Sequence, residues 1–164
     1  NRTHPGPGGY YDNMGCWSSW ARIQNPTDYA SDPGFLKGAL SSFVMQPPHA
    51  EDDAYCMPLA WQWNGCAMYM TPLVVRYEGL DPEAEYLLRT TYLGYFGQHV
   101  KLDASGGCVI HDYISTDRKM LTTDFVLPKK SYADGTLELR FTALDGERGV
   151  SVAEIWILKQ PARL

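Results

Sequence analysis

From residue 66 onward the chain is a succession of short β-forming runs with almost no helix-length periodicity. Runs over 66–70, 73–77, 85–93, 99–103, 108–114, 121–127, 136–143 and 150–158 are rich in Val, Ile, Leu, Tyr and Thr. Turn-forming stretches at 78–84, 103–107 and 133–135 separate several of them. Seven or eight strands at such spacing predict an all-β protein in which two sheets bury one core. The last run is the most telling: Val150, Val152, Ile155 and Ile157 flank a single acid, Glu154. A carboxylate inside an apolar strand is costly unless it is paired or holds a metal. The ordinary reading is an ion pair, with Arg148 or Arg22 as partner.

The first 60 residues differ in character, being rich in Gly, Pro, Asn, Asp and Ser. They predict long loops with few strands. Residues 1–9 read as a linker, and 10–160 as one β-sandwich domain. Asp32 followed by Pro33 predicts the N-cap and first position of a short helical turn.

The chain has 164 residues and a net charge of −5. Its basic residues do not gather into a patch, which argues against a nucleic-acid partner. No apolar run approaches the roughly 18 residues of a membrane span. The four cysteines, Cys16, Cys56, Cys66 and Cys108, lack zinc-ligand spacing. They are read as two disulfides of an exported domain, with the pairing open. There is no Gly-x-Ser-x-Gly elbow, phosphate loop or His-Glu-x-x-His.

Eleven Tyr and five Trp make the chain rich in side chains that combine a flat apolar face with a polar edge. Such faces stack on sugar rings, and planar amides pair with hydroxyls. Three segments supply the combination: Trp17 and Trp20; Trp61, Gln62, Trp63 and Asn64; and Tyr92, Tyr95 and His99. Arg148 completes the candidate ligand set. His99, His111, Tyr92, Tyr95, Tyr113, Arg89 and Arg148 are also side-chain types that a polysaccharide lyase employs.

The order of several motifs carries a resemblance. Residues 80–89 (LDPEAEYLLR), 100–107 (VKLDASGG), 133–139 (ADGTLEL) and 152–158 (VAEIWIL) resemble, in sequence order, galactose-binding-like and malectin-like jelly rolls. Residues 10–15 (YYDNMG) are similar to the opening segment of modules that accompany secreted polysaccharide-degrading enzymes. The resemblance implies a jelly-roll β-sandwich that binds polysaccharide or oligosaccharide, outside the cell, beside a catalytic domain of a longer chain. It also implies a structural calcium between the first and last strands, for which Asp12 and Glu154 are the matching acids. The alternatives are a small lyase or glycoside hydrolase using His and Tyr, and a structural or adhesion sandwich.

Overall fold

The computed structural model describes residues 4–43, 63–94 and 97–162. Among them the chain forms β1 (Tyr10–Asn13), β2 (Ala39–Phe43), β3 (Trp63–Met68), β4 (Leu73–Glu78) and β5 (Tyr86–Tyr92). β6 (His99–Ala104), β7 (Cys108–Ser115), β8 (Leu121–Val126), β9 (Thr136–Ala143) and β10 (Gly149–Lys159) follow. Short 3-10 turns at Trp17–Arg22 and Lys129–Tyr132 are the helical elements. No described helix is long and apolar enough to cross a membrane.

One sheet has six strands in the order β2-β3-β10-β5-β8, with β1 also on β10; the other has four in the order β4-β9-β6-β7. Strand pairing within both sheets is antiparallel. The core lies between them. Leu73, Val75 and Tyr77 of β4 and Leu137, Leu139 and Phe141 of β9 meet Leu88, Val152, Ile155 and Ile157 of the larger sheet. Period-2 alternation explains the even burial of β6 and β9, where inward residues are hidden and outward ones half-exposed. This is the two-sheet jelly-roll architecture expected from the strand runs.

β10 departs from simple alternation. Val150 and Val152 face the core, and so do Ile155 and Ile157, so the inward phase changes between them. The register against β5 shifts at the same place, between Val152 and Glu154. This bulge turns Glu154 and Trp156 to the outer face of the sheet. β3 pairs with the first part of β10 (Gly149 to Val152) and β1 with the second (Glu154 to Ile157). They thus share one edge of β10, and the Met14 N–H bonds the Ala153 carbonyl at the junction (2.8 Å).

Residues 23–27 strap the open side of the sandwich. Ile23 bridges to Val75 of β4, and Pro26 bridges to Ala39 of β2, so edge strands of both sheets are covered. At another loop, the buried Gln98 amide donates to the carbonyls of Leu93 (2.7 Å) and Ser151 (2.8 Å) and accepts from the Ser151 N–H. That single side chain ties the β5–β6 connection to β10.

Two expectations are corrected. Asp32 opens no helix; its carboxylate accepts the N–H groups of Leu36 and Lys37 and the Thr27 hydroxyl, bracing a loop. The side chain meets the backbone demands that a helix would have met. The two-disulfide reading also fails, because Cys16, Cys66 and Cys108 carry free thiols. Cys66 lies within β3 and Cys108 at the start of β7 in the other sheet, while Cys16 is exposed. Cys56 lies outside the described residues.

Candidate functional site

The junction of β1 and β3 on β10 creates a cleft. Gly15, just past β1, packs so closely on β3 that an added Cβ would stand 2.3 Å from the Trp63 Cβ and 2.5 Å from the Asn64 nitrogen. The following 3-10 turn then carries Trp17 and Trp20 over this junction. The resulting cleft, about 720 Å³, is lined by Tyr11, Asn13, Gly15, Cys16, Trp17, Trp20, Ser41 and Trp63. Its volume lies in the range of small-molecule sites, and its aromatic walls carry a few polar groups. Trp17 is 89% exposed and Trp63 42% exposed. Indole rings left this open have not been recruited by the core, in contrast to Trp156, which is buried against Tyr11 at 5.1 Å between ring centroids.

Hydrogen bonds fix the wall. Tyr11, one face of which lines the cleft, donates its hydroxyl to Glu154 Oε1 (2.8 Å). The Thr91 hydroxyl approaches Glu154 Oε2 at 3.4 Å and lies 2.9 Å from the Thr122 hydroxyl. On the inner face of β1, Asp12 accepts from the Ser19 hydroxyl (3.1 Å) in the 3-10 turn and lies 3.5 Å from Arg22 Nε. The Arg22 guanidinium in turn sits over the Tyr10 and Tyr77 rings at 5.0 and 4.9 Å. Asp12 therefore fastens the turn bearing Trp17 and Trp20 to the first strand. Burial, with the Asp12 carboxylate alongside, pushes the Tyr77 phenol far up, so it stays protonated.

Cys16 stands on the rim of the cleft. The Ser18 hydroxyl and the Ser18 and Trp17 N–H groups favour its thiolate and lower its pKa. Burial pushes Cys66 the other way, up to about 11. A maleimide should therefore label Cys16 in the native protein while Cys66 reacts only after denaturation, as mass spectrometry of peptides would show. Equal native labelling of both would contradict the placement of β3.

The structure brings Trp17, Trp20 and Trp63 together, as a sugar-stacking reading requires. It separates the other candidates. Asn64 is fully buried in β3. Tyr92 is fully buried, with its ring 6.0 Å from Phe141. His99 belongs to the four-stranded sheet, where its Nδ1 meets the Glu147 carboxylate. Arg148 precedes β10, and neither it nor His99 lines the cleft. Trp61, Gln62 and Tyr95 lie outside the described residues. Arg89 forms a two-bonded fork with Asp124 (2.7 and 2.8 Å). The lyase-type side chains are thus spread over both sheets.

The proposed metal pair is not assembled either. Asp12 is the cross-strand partner of Ile155, whereas Glu154 is the partner of Asn13. Directly paired residues share a face and neighbours alternate, so Asp12 points inward and Glu154 outward. No group of three or more His, Cys, Asp or Glu among the described residues could hold a metal ion. The two acids do not fit a shared calcium. They brace opposite faces of the same strand instead.

His111 occupies a different position, between the edge strands of the two sheets. Its ring stacks on Phe125 at 4.7 Å. Its Nδ1 lies 2.7 Å from the Asp112 carbonyl, and its Nε2 lies 2.7 Å from the Tyr92 hydroxyl. A carbonyl can only accept, so Nδ1 carries the proton and Nε2 accepts from Tyr92. Burial lowers the His111 pKa, against the opposing pull of the Asp112 backbone and the Asp103 and Asp112 carboxylates. The folded value lies below the unfolded value of about 6.5. Its stabilising contribution is complete above that pH and is lost as pH falls through the folded value. Thermal melting should therefore drop between pH 7 and pH 5, and the drop should shrink in His111→Phe. An identical pH slope in the variant would contradict this assignment.

No family model matches the chain, and no curated protein matches it in sequence. Solved structures do. The ANX2 ectodomain of Arabidopsis thaliana superposes with a TM-score of 0.67 over 93% of this chain, at 9% identity. The fold is a jelly-roll β-sandwich. The chain spans 42% of that ectodomain, less than half its length. The K1 cleaved adhesin domain of Lys-gingipain from Porphyromonas gingivalis matches at a TM-score of 0.52 and 10% identity, covering 93% of this chain and 99% of that one. The Podospora anserina GH26-CBM35 β-(1,4)-mannanase matches at 0.50 and 7% identity, over 96% of this chain and 29% of that one. Identities this low establish the jelly roll, and the site must be argued from its own geometry.

Proposed function

We propose that this jelly roll binds carbohydrate without catalysis, in the cleft walled by Tyr11, Trp17, Trp20 and Trp63, as a module of a secreted carbohydrate-active protein. The observation that carries the reading is the exposure of Trp17 at 89% on the rim of an aromatic cleft. An indole held open to water costs free energy unless it has a partner to cover. Sugar C–H faces are apolar and flat enough to cover it, and Asn13 and Ser41, each also bonded to Gly15, add polar side chains to the lining. A mannanase whose name joins GH26 to CBM35 shares the fold, which supports a place beside a catalytic domain.

The test is incubation of the purified domain with a panel of immobilised plant, algal and microbial polysaccharides, each read for retention and for released products. Retention without products is expected. Products would move the protein to the lyase or hydrolase reading. Failure to bind any polymer would leave a structural or adhesion sandwich.

A further inference from the structure

The hydrogen-bond acceptors along the cleft already serve the protein. Asn13 Oδ1 accepts the Gly15 N–H (3.1 Å), and the Gly15 carbonyl accepts the Ser41 hydroxyl (3.1 Å). The Asn13 carbonyl accepts the Cys16 N–H, and the Cys16 carbonyl accepts the Ser19 N–H, both at 3.0 Å. Cys16 Sγ accepts from the Ser18 hydroxyl (3.5 Å). The Ser41 and Tyr11 hydroxyls spend their single protons inward, on Gly15 and Glu154. The rest of the wall is ring, from Tyr11, Trp17, Trp20 and Trp63.

A bare sugar hydroxyl brings a proton that needs an acceptor. Against this wall it sheds water and competes with bonds that already hold the loop. An ester in its place brings no such proton. Its carbonyl meets donor-only groups such as an indole N–H as readily as a hydroxyl oxygen does. Its acyl carbons add apolar area for the rings to cover. A site that pairs with a ligand hydroxyl rejects the ligand lacking it, because its own polar groups are then stranded; an apolar wall makes no such demand.

We infer that the cleft does not read hydroxyls, and that it takes O-acylated polysaccharide at least as tightly as the same chain with its hydroxyls bare. Asn13 and Ser41 act as positioning residues. They hold both backbone polar groups of Gly15, whose close approach to β3 sets Trp63 opposite the 3-10 turn. The inference rests on the carbohydrate reading and narrows it to a ligand class, chains whose hydroxyls carry acyl groups.

The experiment is isothermal titration of the whole chain with hexaoses of β-glucan, β-mannan and β-xylan, each bare and after partial O-acetylation. In every pair that binds, the acetylated member should match or exceed the bare one, to within roughly threefold. A hydrogen bond lost with a masked hydroxyl would cost roughly fivefold. Tighter binding of the bare member by more than that threefold margin would overturn the inference and leave carbohydrate binding intact. No binding of any of these sugars would overturn the carbohydrate reading and this inference with it. Ser41→Ala should weaken bare and acetylated hexaoses by the same factor, since it loosens Gly15 and removes no contact to the ligand. A loss confined to the bare hexaose would reveal a hydroxyl contact at Ser41 and overturn the inference. The wild-type pairs decide the question even if the variant fails to fold.

Discussion

Trp17→Ala should abolish retention on the polysaccharide that holds the wild-type protein, yet leave the melting temperature almost unchanged. The indole is 89% exposed, so its removal opens no cavity and strands no buried partner. Surface substitutions of this kind move stability by only about 0.5 kcal/mol in either direction. A ring that carries stacking in a binding site is worth about 2 kcal/mol, or roughly thirtyfold in affinity. Isothermal titration with an oligosaccharide of the retained polymer, alongside differential scanning calorimetry, separates the two quantities. Lost stability with unchanged affinity would return Trp17 to a packing role and remove the main support for the cleft.

Gly15→Ala should do the reverse and damage fold and binding together. The new methyl would meet the Trp63 Cβ at 2.3 Å and the backbone of Trp63 and Asn64 at 2.5 Å. Backbone atoms cannot rotate aside as a flexible side-chain end can. The β1 end must lift from β3, breaking the contact that sets Trp63 opposite the 3-10 turn. Overpacking of this kind costs about 1–3 kcal/mol. Chemical denaturation should show that loss, and sugar affinity should fall beyond what the unfolded fraction explains. Unchanged stability and affinity would mean that β1 and β3 do not meet as described.

Much of the fold was legible because alternation is a local signal. The runs read at 136–143 and 150–158 match β9 and β10 to within a residue, since apolar positions alternate with polar ones in β9 and β10 is dense in β-forming residues. Even the bulge was written into β10, where the apolar set moves from Val150 and Val152 to Ile155 and Ile157. β2 gives no strand signal in the sequence because Ala39–Phe43 carries two serines and lies in a glycine- and proline-rich region. The metal pair failed for a different reason. Asp12 and Glu154 do lie on adjacent strands, but a one-residue offset puts them on opposite faces, and register is a property of the pairing that neither strand reveals alone.

The site divides along the same line. Trp17, Trp20 and Trp63 were candidates on side-chain type and do converge. Tyr92 was an equally good candidate by type, yet its place at the end of β5 turns it into the core, where it partners His111. Tyr11 and Asn13 are not among the ligand contacts that side-chain type alone suggests. The signal was present in the alternation of Tyr10, Tyr11, Asp12 and Asn13, but only the β1–β10 register tells which pair faces out.

The most direct test of the cleft is a nuclear magnetic resonance titration that follows the five tryptophan indole N–H signals, assigned by single substitution. Hexaoses of β-glucan, β-mannan and β-xylan would be added in turn. At least one hexaose should shift the signals of Trp17, Trp20 and Trp63 in parallel, with a single affinity, while buried Trp156 moves far less. Binding that leaves Trp17, Trp20 and Trp63 unmoved would place the sugar elsewhere on the sandwich and contradict the cleft.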